Sequence, residues 1–134
     1  MILVDTSAWI EYDRATGSSV DRALESLIAS DAPIAATEPV LMEMLGGARD
    51  DQVAAQIRRF LTSFEWLPAD SAADFEAAAR VYRSCRAAGV IPGGFIDCMI
   101  AAIAIRTDSE LLTADDGFER MARVLPLRLT STAT

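Results

Sequence analysis

The chain opens with Met1-Ile2-Leu3-Val4-Asp5-Thr6-Ser7, an apolar run that ends in a carboxylate followed by two hydroxyls. Consecutive apolar residues bounded by a turn-forming residue predict a buried strand over 2–4. Hydroxyl side chains directly after a strand are typical of a turn that caps a helix, and Ala8-Trp9-Ile10 suits that helix. A strand that leads straight into a helix is the repeating unit of an α/β fold, so this opening decides the fold class.

Short apolar runs and helical patterns alternate along the rest of the chain. The predicted strands lie at 34–36, 64–67, 110–113 and 127–129. The predicted helices lie at 19–29, from a cap at Thr37 to Gly46-Gly47, and at 51–64, 72–88 and 95–106. Strands separated by helices of this length form βαβ units. We therefore predict one α/β domain over 1–134, with a mostly parallel central sheet flanked by helices.

The charged residues narrow the possible chemistry. The chain has no histidine, and all 12 of its basic residues are arginine, against 20 acidic residues. Without His and Lys there is no imidazole base, no Schiff-base amine and no P-loop lysine, so chemistry must come from carboxylates, hydroxyls, arginine or a bound ion. The net charge of −8 disfavours a generic electrostatic grip on nucleic acid, although arginines and a divalent ion allow a local one.

The apolar content of the chain is relevant to its cellular location and to whether it has a binding partner. A hydrophobic fraction of 51% and a mean hydropathy of +0.23 indicate either a thoroughly buried sheet or an apolar surface for a partner. No apolar run approaches the ~18 residues of a membrane helix, and the N-terminus lacks the basic segment of a signal peptide. We expect a cytoplasmic protein without a membrane anchor. Cys85 and Cys98 lack metal-ligand spacing, which favours buried free thiols.

Four carboxylates lie where an apolar segment ends or where a helix begins or packs. These are Asp5, Glu43, Asp97 and Asp115. Carboxyl ends of parallel strands are the ligand-binding edge of an open α/β sheet, and oxygen-only ligands select hard cations such as Mg²⁺ or Mn²⁺. Each residue also has a purely structural interpretation: a helix cap for Asp5, a helix-dipole partner for Asp97, a solvated rim position for Glu43, and a turn at Asp115–Gly117.

Four stretches together resemble a PIN-domain ribonuclease, and the length is similar to that of the VapC toxins of bacterial type II toxin–antitoxin modules. They are the opening Met1–Ile10, Glu43 before Gly46-Gly47, Ile91-Pro92-Gly93-Gly94-Phe95-Ile96-Asp97-Cys98-Met99-Ile100-Ala101-Ala102, and Leu111-Leu112-Thr113-Ala114-Asp115-Asp116-Gly117-Phe118. They occur in the family's order and span nearly the whole chain.

The resemblance implies a PIN-like three-layer α/β/α sandwich and a set of site residues. The family's acidic positions, which gather one or two Mg²⁺ or Mn²⁺ ions, fall on Asp5, Glu43, Asp97 and Asp115. Asp5 and Asp97 are the expected direct ligands, while Thr6 and Thr113 match hydroxyl positions that orient carboxylates or water. Asp116 stands where the family commonly has a basic residue, which leaves the fourth acid open between Asp115 and Asp116; Asp115 keeps the family's distance from Thr113.

The resemblance also implies an activity and partners. It implies a metal-dependent endoribonuclease that hydrolyses tRNA, rRNA or mRNA to 5′-phosphate and 3′-hydroxyl ends, forms a homodimer and is neutralised by a small VapB-like antitoxin. The antitoxin would dock a helical segment and present an arginine to the acidic site.

Surface residues that could serve these partners have equally plausible structural roles. The candidates for guiding RNA are Arg80, Arg83, Arg86 and Arg58-Arg59. The candidates for an antitoxin groove are Met42, Met44, Leu45, Leu24 and Ile28. The first set is otherwise a solvated helix face and the second is otherwise core. No aromatic-rich stretch for base stacking is visible, so sequence specificity is not predicted.

Two other functions compete with the ribonuclease. A haloacid-dehalogenase-type phosphatase also begins with an aspartate after its first strand, but it needs a second acid where this chain has Ser7 and a lysine that the chain lacks. A non-catalytic scaffold or nucleotide-binding module is the second alternative, and the lack of a Gly-rich loop after the first strand disfavours its nucleotide version. Metal-dependent RNA cleavage that is lost on mutation of Asp97 separates the enzyme from the scaffold.

Overall fold

A computed structural model describes residues 1–132 as four strands and seven helices. The strands are Ile2–Val4 (β1), Ile34–Ala36 (β2), Glu65–Trp66 (β3) and Glu110–Leu112 (β4). The helices are Thr6–Asp13 (α1), Ser19–Ala29 (α2), Glu38–Gly46 (α3), Asp51–Leu61 (α4), Asp74–Ala87 (α5), Phe95–Arg106 (α6) and Asp116–Ala122 (α7). The sheet has the order β3-β2-β1-β4 and every pairing is parallel. The predicted α/β class is confirmed.

Strand β1 lies between β2 and β4 in the sheet. This position determines the edge of the sheet at which functional side chains lie close together. Ile2 pairs with Ile34 of β2 and with Glu110 of β4, and Val4 pairs with Leu112. The Asp5 backbone N–H extends this ladder by donating to the Leu112 carbonyl at 3.1 Å. The residues that follow β1 and β4 are therefore neighbours, although more than a hundred positions separate them in the sequence.

Helix α6 is the apolar centre of the protein. Its residues from Cys98 to Ala104 are all buried, which requires covering on every side of the helix. Helix α5 packs against it with Ala78, Val81 and Cys85 buried. Both cysteines are free and buried, as predicted.

An ion pair between the buried Asp74 and the exposed Arg106 joins the far ends of these two helices. Arg106 donates from Nε to Asp74 Oδ1 and from Nη2 to Asp74 Oδ2, both at 2.8 Å. Burial opposes ionisation of Asp74, but the hydrogen bonds from Arg106 and from the Asp70 backbone N–H hold its pKa below the ordinary value. The paired charge fixes the separation of α5 and α6 at this end.

Several predicted boundaries are wrong, each for a local reason. The strand predicted at 127–129 is only an isolated parallel bridge between Leu129 and Leu111, and Pro126 just before it cannot donate to a longer ladder. The helix predicted at 51–64 ends at Leu61, the strand at 64–67 shrinks to two residues, and the helix at 72–88 begins at Asp74. Helix α7 was not predicted.

Thr37 does not cap α3 in the predicted way. It occupies the N-cap position, but its side chain makes no capping hydrogen bond. Its hydroxyl is buried and has no partner within the described residues.

No helix in the described part of the chain is long and apolar enough to cross a membrane.

Candidate active site

The carboxyl ends of β1 and β4 place Asp5 and Thr113 side by side. Asp5 follows β1 and begins α1, where its side chain accepts a hydrogen bond from the Ala8 backbone N–H at 3.1 Å. Thr113 follows β4 and donates from Oγ1 to Asp5 Oδ2 at 2.9 Å. The structural interpretation of Asp5 as a helix cap is therefore correct, but it accounts for only one of the contacts of this carboxylate.

The Asp5 carboxylate is held in a fixed orientation and costs free energy to ionise. Ser7 Oγ donates to its Oδ1 at 2.8 Å, and only 3% of the residue is exposed. Burial raises the pKa of Asp5 from 3.8 to about 6, and the negative charge of Asp97 adds to the rise; the hydrogen bonds from Ser7, Ala8 and Thr113 only partly oppose it. Asp5 is thus an oriented carboxylate with no compensating cation among residues 1–132.

Asp97 faces the same region from the first turn of α6. Burial and, to a smaller extent, the charges of Asp115 and Glu43 together raise its pKa from 3.8 to about 6. None of these causes lowers the pKa, so no donor or cation among residues 1–132 offsets the charge. Gly93 makes room for this carboxylate, because a Cβ atom added at Gly93 would overlap Asp97 Oδ2.

Glu43 enters the site from α3 and is oriented by Thr6. Thr6 Oγ1 donates to Glu43 Oε1 at 2.6 Å, which joins the start of α1 to the middle of α3. The predicted orienting role of Thr6 therefore has a geometric basis, as does that of Thr113.

Asp115 completes the group from the start of α7. It is exposed, caps α7 by accepting from the Gly117 backbone N–H at 2.8 Å, and its charge raises the pKa of Asp97. Asp116 is not among the charges that raise the pKa of Asp97. Of the two candidates for the fourth acid, Asp115 is therefore the one that interacts with the other carboxylates.

Ser7 is the site residue that the sequence analysis missed. Besides bonding Asp5, its Oγ lies 3.2 Å from Thr113 Oγ1 and accepts from the Ala114 backbone N–H at 2.9 Å. Thr113 Oγ1 in turn accepts from the Asp115 backbone N–H at 3.0 Å. One hydroxyl thus links the strand-end carboxylate to the loop that carries Asp115. The only signal in the sequence was its place two residues after Asp5, which equally fits a simple helix cap.

The donor set suits a hard divalent cation, but the carboxylates do not form a closed cage. Among residues 1–132, no three His, Cys, Asp or Glu side chains converge closely enough to hold a metal ion by themselves. Mg²⁺ commonly keeps several waters and binds through one or two carboxylates, so a closed cage is not required. The all-oxygen chemistry and the uncompensated charge at Asp97 fit such an ion.

Three cavities lie at or near the site, and one of about 480 Å³ is lined by residues that include Thr6, Glu43 and Met44. A polar cavity of about 530 Å³ shares Thr113 and Asp115 with the site and is also lined by Glu11, Ser18 and Asp116. An apolar cavity of about 320 Å³ lies between α1, α3 and α4 and is lined by residues that include Trp9, Tyr12, Met44, Ile57 and Phe60.

The apolar residues predicted for a groove do not form one surface. Leu24 is fully buried and belongs to the core, whereas Met42 is 53% exposed. Met44 lines the apolar cavity, and Leu45 and Ile28 are half-buried against the core. Arg58 and Arg59 lie in the last turn of α4, and Arg80, Arg83 and Arg86 are exposed on α5.

Comparisons with known proteins agree with this architecture. The sequence matches the PIN domain family over residues 2–124. Ribonuclease VapC11 of Mycobacterium tuberculosis is 42% identical over 132 residues, which is 98% of this chain and 98% of the relative.

Two solved structures resemble the fold. VapBC2 from Rickettsia felis, bound to a DNA fragment from its promoter, matches with a TM-score of 0.74 and 22% identity over 97% of this chain and 98% of that one. Mycobacterium tuberculosis VapC20, a sarcin-ricin loop cleaving toxin, matches with a TM-score of 0.65 and 19% identity over 96% and 99%. The fold is the three-layer α/β/α sandwich of a PIN domain, as predicted.

Proposed function

This chain belongs to the PIN-domain family as a ribonuclease toxin of the VapC type, and on that basis we propose that Asp5, Glu43, Asp97 and Asp115 form its catalytic centre. The observation that carries the proposal is the convergence of these carboxylates at the carboxyl edge of the sheet, where burial, with a smaller contribution from neighbouring acids, raises the pKa of Asp5 and of Asp97 to about 6. A purely structural cluster would be expected to contain an arginine, but no cation offsets Asp97 among the described residues.

PIN-domain ribonucleases of this kind generally depend on a divalent metal, and we propose Mg²⁺ or Mn²⁺ here. Asp5 and Asp97 would bind the ion directly, while Glu43 and Asp115 would bind it or its waters. When bound, the ion supplies Lewis-acid stabilisation of phosphate charge and lowers the pKa of a water molecule to make a nucleophile.

The protein's own hydroxyl side chains orient the carboxylates of the site. Ser7 and Thr113 fix the two oxygens of Asp5, and Thr6 fixes one oxygen of Glu43. Their hydrogen bonds make the carboxylate geometry independent of the substrate, which is the form of preorganisation that favours a charged transition state. The acids also repel the phosphodiester, so RNA should bind more tightly with the divalent ion than in EDTA.

The test is cleavage of an end-labelled RNA by the purified protein with Mg²⁺, with Mn²⁺ and with EDTA. We expect cleavage only with a metal, and products with 5′-phosphate and 3′-hydroxyl ends. Metal-independent cleavage that leaves a cyclic phosphate would contradict the proposed centre. Absence of cleavage on cellular RNA under every condition, together with absence of toxicity in cells, would favour the non-catalytic scaffold.

Ser7→Ala is expected to lower metal-dependent cleavage by about 10- to 100-fold, which is typical for loss of a partner that orients a metal ligand. The reason is that Asp5 loses one donor and the loop carrying Asp115 loses the hydrogen bond from its Ala114 backbone N–H to α1. The loss should appear as a weaker apparent affinity for Mn²⁺ in a metal titration of the cleavage rate.

Ser63→Ala is the matched control. Ser63 is exposed and donates only to the Phe60 carbonyl, so its loss should leave both the rate and the metal titration unchanged. If Ser7→Ala behaves like Ser63→Ala, the hydroxyl serves only the turn.

We propose that a small VapB-like antitoxin is the protein partner. The structural neighbours are VapBC complexes, and two features of this chain suit such a partner. The apolar cavity between α1, α3 and α4 could accept the apolar face of a helical segment. The acidic site beside it could accept an arginine, whose guanidinium would satisfy the uncompensated carboxylates.

The expected result is that the purified chain is a homodimer and that its cognate antitoxin suppresses cleavage. Light scattering should give twice the mass of one chain, and an antitoxin whose arginines are replaced by glutamine should bind but inhibit less. A strictly monomeric toxin at micromolar concentration would contradict the homodimer. Equal inhibition by the arginine-free antitoxin would contradict the charge-based contact.

A further inference from the structure

A stacked aromatic pair with one exposed ring lies near the candidate active site. The rings of Tyr82 on α5 and Phe95 on α6 are stacked, with centroids 4.5 Å apart and planes inclined by 19°. The Arg86 guanidinium lies over the Tyr82 ring, 5.9 Å from its centroid. Phe95 is 62% exposed, whereas Tyr82 is half-buried and packs against the core. The two residues are 13 positions apart in the sequence, which is why no aromatic-rich stretch was visible there.

The aromatic pair lies close to Asp97, because Phe95 and Asp97 are both in the first turn of α6. Phe95 is the first residue of α6 and Asp97 is the third. Residues two apart in a helix have Cα atoms about 5–6 Å from each other and project to different sides. The aromatic surface therefore lies about one or two nucleotides from the carboxylates, on an adjoining face of the same helix end.

The charges around the pair differ from those of the whole chain. In a protein with a net charge of −8, Arg83 and Arg86 are both exposed in the last two turns of α5. An exposed aromatic ring with the Arg86 guanidinium nearby is suited to a flat π-system that carries negative charge, and nucleotides have that combination.

We propose that Phe95, stacked on Tyr82 and bordered by Arg86, binds one base of the RNA substrate next to the cleaved phosphate. This inference rests on the proposed ribonuclease function and adds to it a site for the substrate. Phe95 supplies the stacking surface, Tyr82 holds the Phe95 ring in place, and Arg86 pairs with a neighbouring phosphate. Because every base has a π-face, this contact contributes affinity and position rather than a strict sequence preference.

A second copy of the chain is the less suitable occupant of this surface. A twofold-symmetric interface joins one surface patch to its own copy, so a second chain would have to supply acidic partners for Arg86 from this same patch. The aromatic ring and the guanidinium group complement the base and the phosphate of a nucleotide. A second copy of the same surface offers no such complement.

The test uses short single-stranded RNAs that carry 2-aminopurine at successive positions, with fluorescence and anisotropy measured in EDTA so that no cleavage occurs. For wild type we expect quenching at one position, as the base stacks on Phe95. Phe95→Leu should abolish that quenching and weaken binding by about 5- to 100-fold, the usual range for loss of one stacked base. Phe95→Trp should restore both, since it keeps the aromatic surface.

The matched control is Phe75→Leu. Phe75 is 61% exposed on the same helix as Tyr82, but it lies in the first turn of α5, two turns away from Tyr82. Its replacement should change neither quenching nor affinity. With Mn²⁺ present, Phe95→Leu should raise the KM for cleavage while leaving kcat within about twofold, because stacking is made equally in the ground state and the transition state.

The alternatives give different results. If Phe95→Leu binds and cleaves RNA like wild type, the stacking site is wrong while the ribonuclease function stands. If that variant instead dissociates a dimer by light scattering and keeps its RNA affinity, a second copy covers this surface and the proposal is overturned. If wild type neither binds nor cleaves RNA, the proposed function fails and the stacking site fails with it.

Discussion

Asp97→Asn is expected to reduce metal-dependent RNA cleavage by more than about 100-fold while leaving the fold intact. Asn removes one negative charge and keeps the shape of the side chain in the space next to Gly93. Since Asp97 accepts no hydrogen bond that lowers its pKa, the substitution breaks no structural contact of that kind. Cleavage of labelled RNA with Mn²⁺ measures the loss, and circular dichroism with thermal melting confirms the fold.

Asp5→Asn should lose activity to a similar extent, but this variant also disturbs structural hydrogen bonds. Asp5 accepts from Ser7, from the Ala8 backbone N–H and from Thr113. An amide can reproduce only part of this pattern, because its NH₂ group would face a donor. Some loss of stability is therefore expected in addition to the loss of activity.

Asp116→Asn is the matched control for Asp115→Asn. Both residues are exposed neighbours at the start of α7, but only the charge of Asp115 raises the pKa of Asp97. Asp115→Asn should weaken cleavage and Asp116→Asn should not. The reverse result would assign the fourth acid to Asp116, and a well-folded Asp97→Asn protein with full activity would remove the whole assignment.

The metal-free protein is expected to become more stable, relative to its Asp97→Asn variant, as the pH falls from 7 towards 4. Asp5 and Asp97 each have a folded-state pKa of about 6 and an ordinary value of 3.8. Between these values the folded state binds more protons than the unfolded state, so protonation favours folding. The stabilisation is complete below the unfolded pKa and is lost as the pH rises through about 6.

The size of this effect on the free energy of unfolding follows from the rise in the carboxyl pKa. A rise of about two pKa units corresponds to a cost of about 3 kcal/mol at neutral pH for Asp5. The two acids titrate as a coupled pair, so their costs do not simply add. The pKa of Asp97 is raised to a similar value, so its charge also costs free energy at pH 7. Metal-free Asp97→Asn should therefore melt at a higher temperature than metal-free wild type at pH 7, and the difference should shrink near pH 4.

A divalent ion should stabilise wild type more than it stabilises Asp97→Asn. Mn²⁺ at about 100 times its dissociation constant adds about 2.7 kcal/mol to a protein that binds it only when folded. Wild type should gain this increment, whereas Asp97→Asn, having lost both a repulsion and a ligand, should gain less. Denaturant unfolding with EDTA and with Mn²⁺ measures both effects. A metal-free Asp97→Asn protein that melts below wild type at pH 7 would show that Asp97 is a structural residue.

The sequence by itself determined the local elements and the chemical type of the site. The strand at Ile2–Val4 and the helix at Phe95–Arg106 lie where the apolar patterns predict them, because burial of such segments depends mainly on their own composition. The absence of His and Lys limited the chemistry to carboxylates before any distance was known. The resemblance of four stretches to PIN domains supplied the family, which the sequence comparison shows.

Only the tertiary structure decided which side chains meet. The contact between Thr113 and Asp5 spans 108 residues, and it exists because β1 and β4 pair in one particular register. The same holds for Thr6 with Glu43 and for the stacking of Tyr82 on Phe95. A local pattern reports whether a segment is helical, extended or buried, but it carries no information on the distance between two segments.

Local signals also failed where packing overrode them. Thr37 has the residue type of a helix cap, yet its hydroxyl is buried without a partner among the described residues, and Ser7, which has the same capping character, instead joins Asp5 to Thr113. Both residues follow a strand at the same edge of the sheet. Their different environments arise because sheet register and helix packing, rather than the type of side chain, fix which donors and acceptors lie within reach.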